Sequence, residues 1–160
     1  MSLGGVANGG ATLLVVHHSP GLSLPAMLDA AIGGANQEGL EHVDVVAVPA
    51  LEVTSRQMLD ADGYLLVTPA NLGYMAGPLK HAFDTTYNDM LGLTIGRRYG
   101  VLAHGESDTT GCVLAIEKIT TGLDWRLATP PVSVIGTVDA AGLDACHEAA
   151  AVVAAMLIGS

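Results

Sequence analysis

Short apolar runs alternate with amphipathic stretches along this chain, a pattern that predicts a β-sheet interleaved with helices. Thr12-Leu13-Leu14-Val15-Val16 is continuously apolar and ends at His17-His18-Ser19-Pro20-Gly21, so it reads as a buried strand closed by a turn. Residues 43–48, 64–67, 99–103 and 131–135 repeat the signature, with Asp44 marking residues 43–48 as a sheet edge. Between them lie helical stretches: residues 24–32 with Ser23 as cap and Gly33-Gly34 as stop, a short helix from Ser55 toward Asp62-Gly63, residues 79–87, 111–121 and 140–157. In the last, Leu143, Cys146, Ala150, Val153 and Leu157 form the stripe that faces a core.

Five strands alternating with five helices on short loops imply a parallel sheet covered on both faces. Right-handed crossovers leave the doubly wound strand order 2-1-3-4-5 as the simplest solution, with its switch point between strands one and three. With 160 residues, half of them hydrophobic, the chain makes one domain with a full core. That domain is expected over residues 11–160, behind a Gly-rich flexible extension at residues 1–10 that lacks the pattern of a secretory signal.

Charge narrows the partners. The net charge is −10 and only six Lys and Arg are present, which excludes a basic nucleic-acid footprint and argues against an anionic membrane surface. Residues 149–158 are too short an apolar run to span a bilayer. Cys112 and Cys146 read as two free thiols in a reducing compartment, which places the protein in the cytoplasm.

Candidate chemistry collects in the three loops that leave the carboxyl ends of strands one, three and four. In open α/β sheets ligands bind at that edge. The loops are His17 to Ser23, Thr68 to Lys80, and His104 to Gly111. Each combines glycine with hydroxyl or amide side chains, and each leads into a helix whose first amides favour anions.

The segment Ala61-Asp62-Gly63-Tyr64-Leu65-Leu66-Val67-Thr68-Pro69, followed by Gly73, Met75, Gly77, Leu79-Lys80 and Asp84, resembles the flavodoxin-like proteins, including the NAD(P)H-dependent FMN reductases. The resemblance runs over nearly all of residues 13–157. It implies a three-layer sandwich with a five-stranded parallel sheet in the order 2-1-3-4-5. It implies FMN as cofactor and NAD(P)H as co-substrate, with a flavin, a quinone or a related molecule as acceptor. Ser19, Gly21 and Ser23 would contact the phosphate. Thr68, Pro69, Asn71, Leu72, Gly73 and Tyr74 would lie along the isoalloxazine ring, as would His104, Gly105, Asp108 and Gly111. No catalytic side chain is required, because flavin supplies the chemistry. The family's first loop reads T-x-T-G-x-T, and this chain has Ser19-Pro20-Gly21-Leu22-Ser23-Leu24 there. Pro20 and Pro25 each lack a backbone donor.

Plainer readings stand beside these. Ser19 to Ser23 also suits an ordinary turn, and Tyr74 a surface or interface aromatic. Lys80 suits a solvated helix face, and Trp125 a half-buried packing residue. His17, His18 and His104 form no metal site by spacing, since successive strand residues point to opposite faces. Gly105-Glu106-Ser107-Asp108-Thr109 lacks the closing glycine of a hydrolase nucleophile elbow. Two other classes remain: a flavodoxin-fold binding module with weakened FMN affinity, and an electron-transfer flavodoxin whose acidity steers a redox partner protein. The resemblance also allows a homodimer.

Overall fold

The computed structural model describes residues 10–159, so the extension expected at residues 1–10 lies outside the described residues apart from Gly10. In chain order the elements are β1 (Ala11–His17), α1 (Ser23–Ala35), β2 (Val43–Pro49), α2 (Ser55–Asp60), β3 (Gly63–Asn71), β4 (Tyr74–Met75), α3 (Gly77–Met90), β5 (Arg98–Gly105), α4 (Thr110–Gly122), β6 (Arg126–Leu127), β7 (Val132–Ile135) and α5 (Ala140–Met156). The parallel sheet runs β2-β1-β3-β5, and β6 and β7 share its far edge. β6 pairs with the start of β5 and β7 with its end.

The expected order 2-1-3-4-5 is therefore present, with two differences in strand count. The fifth strand is split around Pro130-Pro131, which have no N–H to give to a ladder. β4 is a two-residue strand that folds back antiparallel onto the end of β3. β2 is the edge strand that Asp44 indicated.

The strands are apolar throughout because both faces are covered. On β1, Leu14 and Val16 enter one core while Leu13 and Val15 enter the other; on β3, Tyr64 and Leu66 oppose Leu65 and Val67 in the same way. Met58, Leu79, Phe83 and Ile116 place α2, α3 and α4 on the first face. Met27, Ala31, Cys146, Ala150 and Val153 place α1 and α5 on the second. Cys112 and Cys146 are buried free thiols in these separate cores, and burial pushes both up to about 11.

Three expectations about helix ends and packing are corrected. Ser23 is the first residue of α1 and not its cap; Leu22 holds the cap position, with no side-chain cap bond. Gly33-Gly34 does not stop the helix, which runs to Ala35 because Gly34 is buried against the backbone of His147 on α5. Trp125 is buried, not half-buried. Its ring stacks on Tyr64 at 3.9 Å between centroids and tilts against Phe83 and Tyr99, and its indole N–H donates to Thr94 Oγ1 at 2.8 Å.

One charged side chain belongs to the framework. The Arg97 guanidinium donates to the carbonyls of Leu59 and Ala61, both at 2.8 Å, and so satisfies the open carboxyl end of α2.

Candidate functional site

Each parallel strand delivers its loop to one edge, and there the three loops meet. They enclose a cleft of about 330 Å³ lined by Pro20, Gly21, Leu22, Ser23 and Leu24 from the first loop, Pro69, Ala70 and Asn71 from the second, and His104, Gly105 and Glu106 from the third. It opens beside the switch between β1 and β3, where the strand order reverses. An adjoining hollow of about 350 Å³ shares Leu22, Ser23 and Glu106 with it and adds Gly136, Thr137 and Val138 after β7.

Of the residues proposed from sequence, Gly21, Ser23, Pro69, Asn71, His104 and Gly105 come together on the cleft wall. The others are placed differently. The Ser19 hydroxyl is 2.9 Å from His17 Nδ1, and burial together with the nearby His18 pushes the His17 imidazole below its usual range. Thr68 is wholly buried; its hydroxyl donates to the Pro69 carbonyl at 2.9 Å and accepts from the Ala76 amide at 3.4 Å, so it fixes the path of the second loop. Asp108 accepts from the amide and hydroxyl of Thr110, at 3.0 and 2.7 Å. Those bonds hold its carboxyl below the ordinary range and tie the third loop to the start of α4.

Tyr74 and Gly111 lie in a separate groove along α4 with Leu114, Ala115, Lys118 and Ile119. Tyr74 is nonetheless the one aromatic outside the core cluster, with Tyr64, Phe83, Tyr99 and Trp125 buried and Tyr87 packed against them. Lys80 pairs with Asp84 at 2.6 Å along the exposed face of α3, the solvated role expected of it.

His104 is the buried polar group of the cleft, 7% exposed. One ring nitrogen, Nε2, lies 2.7 Å from the Gly136 carbonyl. A carbonyl only accepts, so Nε2 carries a proton, and in the neutral ring Nδ1 is left as an acceptor.

The second loop ends in a tight hairpin. Asn71 pairs with Tyr74, and the two residues between them, Leu72 and Gly73, have φ of 52° and 76°. Positive φ at both central positions is the type I′ pattern, which favours Asn-Gly. Leu72 carries a backbone penalty of about 1–2 kcal/mol there and is completely solvent-exposed, so no packing offsets it. Leu72→Asn is expected to raise stability by about 0.5–1 kcal/mol, read as a higher urea midpoint with an unchanged slope. A lower midpoint would show that Leu72 is held by packing and not strained.

Sequence reasoning missed Pro20, Leu22, Leu24, Ala70 and Glu106 on the wall, the fourth loop at Gly136, and the hairpin. The turn signal was Gly73 directly before an apolar Tyr74-Met75 pair. For Glu106 it was the only carboxylate next to the end of strand four.

Among the described residues no cluster of His, Cys, Asp and Glu could hold a metal ion, and no helix is long and apolar enough to cross a membrane.

A parallel sheet in this order between two helical layers is the flavodoxin-like fold. The chain superimposes on a flavodoxin from the domain Archaea with a TM-score of 0.77 at 16% identity, covering 92% of this chain and 99% of that one. A flavodoxin, WrbA-like protein from Agrobacterium tumefaciens gives 0.71 at 15% identity, covering 93% and 98%. Rubredoxin oxygen:oxidoreductase from the anaerobe Desulfovibrio gigas gives 0.76 at 14% identity, where this chain covers 92% of its own length and 36% of that protein. No family model matches the sequence, and no curated protein matches it.

A flavin fits one end of the cleft better than the other. For a flavin ring, Pro69 and Ala70 would offer apolar surface, with the Asn71 amide and His104 as polar groups beside it. The first-loop side, where a phosphate would lie, carries Pro20 and has no cation on the wall among the described residues, and Pro25 follows in the first turn of α1.

Proposed function

We propose that this protein binds a flavin and acts in redox chemistry, FMN being the flavin its resemblance implies, with NAD(P)H reducing a flavin, a quinone or a related acceptor in the cytoplasm. The observation that carries this reading is the convergence of three loops on one cleft at the sheet switch point, with the ring-side residues Pro69, Asn71, His104 and Gly105 on its wall. A flavin held there supplies hydride acceptance and release. The chain's own part is to orient the ring: Asn71 offers an amide, His104 an imidazole fixed through Nε2 on the Gly136 carbonyl, and the second and third loops give polar backbone at the ring edge. Ser19, Gly21 and Ser23, with Thr68, Leu72, Gly73, Tyr74, Asp108 and Gly111 around them, complete the proposed set as supports or contacts. An electron-carrier role is favoured by one observation, the net charge of −10, which steers a basic partner protein. A homodimer remains part of the reductase reading.

Titrating the purified protein into FMN and riboflavin is expected to quench flavin fluorescence with saturation. Flavin-loaded protein that oxidises NAD(P)H with a quinone supports the reductase; loaded protein that is inert to NAD(P)H yet passes electrons to a partner supports the carrier. No quenching of either flavin would reject both.

A further inference from the structure

We infer that the cleft selects against the flavin phosphate, so that the non-phosphorylated isoalloxazine of the riboflavin class binds in preference to FMN; this rests on the flavin reading above. Three observations on and beside the first-loop side of the cleft lead there. First, donors are scarce. Pro20 on the wall and Pro25 in the first turn of α1 bring no N–H, and the Ser19 hydroxyl just before the wall, the one residue that keeps its place in the resembled motif, lies 2.9 Å from His17 Nδ1. Second, an acidic residue borders the loop. Glu106 lines both the cleft and the adjoining hollow, each time together with Leu22 and Ser23 at the start of α1. Third, nothing positive offsets it. Among the described residues neither space has a lysine or arginine on its wall.

The amino end of α1 attracts anions, and magnitude decides which effect wins. A helix end acts as about half a positive charge, whereas a glutamate carboxylate carries a full negative one. A phosphate monoester brings about −1.5 to −2 charges at neutral pH, so it feels a net repulsion at comparable range. A phosphate-free flavin feels neither effect and keeps the ring contacts. The overall charge of −10 acts in the same direction.

The test is a fluorescence titration of riboflavin and FMN against the protein and its Glu106→Gln variant. At low salt the original protein is expected to hold riboflavin about tenfold tighter than FMN, twice the exponent of a single exposed charge pair. Glu106→Gln is expected to remove most of that ratio. Because the charges are solvated, raising salt from about 20 mM to about 500 mM should narrow the gap in the original protein and do little in the variant. FMN binding tighter than riboflavin in the original protein overturns the inference while leaving the flavin reading intact, as does a ratio that Glu106→Gln leaves in place. Silence with both flavins overturns the flavin reading and this selection with it.

Discussion

Replacing Trp125 with alanine is expected to lower the unfolding free energy by about 3–5 kcal/mol, a large part of what a domain of this size possesses. The size follows from what the indole does. It is 6% exposed, stacks on Tyr64 with an interplanar angle of 8°, and touches Phe83 and Tyr99 at 6.2 and 5.8 Å between centroids. Tyr64 lies on β3 and Tyr99 on β5, so one ring ties two central strands to α3. Removal also leaves the buried Thr94 hydroxyl without its donor. Trp125→Phe keeps a ring but not the N–H, and should cost about 1–3 kcal/mol. Urea unfolding followed by far-ultraviolet circular dichroism reads both, since the only tryptophan is then gone. A loss below about 1 kcal/mol for the alanine variant would mean that the aromatic cluster does not hold the sheet together.

That cluster shows where sequence reading succeeds and where it stops. Continuous apolar runs are visible in one dimension, so the strands and their order could be derived from Leu13-Leu14-Val15-Val16 and Tyr64-Leu65-Leu66-Val67. Their carboxyl ends could not. β3 continues through Thr68, Pro69, Ala70 and Asn71, which look like a loop but pair with β5 as far as Pro69↔His104. The hairpin escaped because Leu72 opposes the residue preference of its own turn. The stacking of Trp125 on Tyr64 joins positions far apart in sequence, and no local pattern encodes it. In the site, the loops that meet could be named from strand ends alone. Which side chains face the cleft depends on the path of each loop: Asp108 turns back to cap Thr110, while Glu106, two residues earlier, lines the wall.

Gly111 supplies the sharpest test of how the hairpin is held. A glycine within the first turn of α4 is a poor helix former, and Gly111→Ala should on propensity alone raise stability by up to about 1 kcal/mol. The structure predicts the opposite sign. A Cβ on Gly111 would lie inside the van der Waals radius of the Gly73 carbonyl oxygen, a backbone atom that no rotamer can move aside. The clash should push the Leu72-Gly73 turn off α4 and cost about 1–3 kcal/mol, as overpacking does. Since Asn71 at the cleft and Tyr74 on the α4 groove flank that turn, flavin quenching should also weaken, by about tenfold for a displaced ring contact of about 1.4 kcal/mol. Gly77→Ala is the control. It is likewise at a helix start, on α3, but a Cβ there meets nothing within 4 Å, so stability should hold or rise. If Gly111→Ala behaves like Gly77→Ala, the hairpin is not seated on α4 and the second loop owes its shape to Thr68 and the β3–β4 pairing alone.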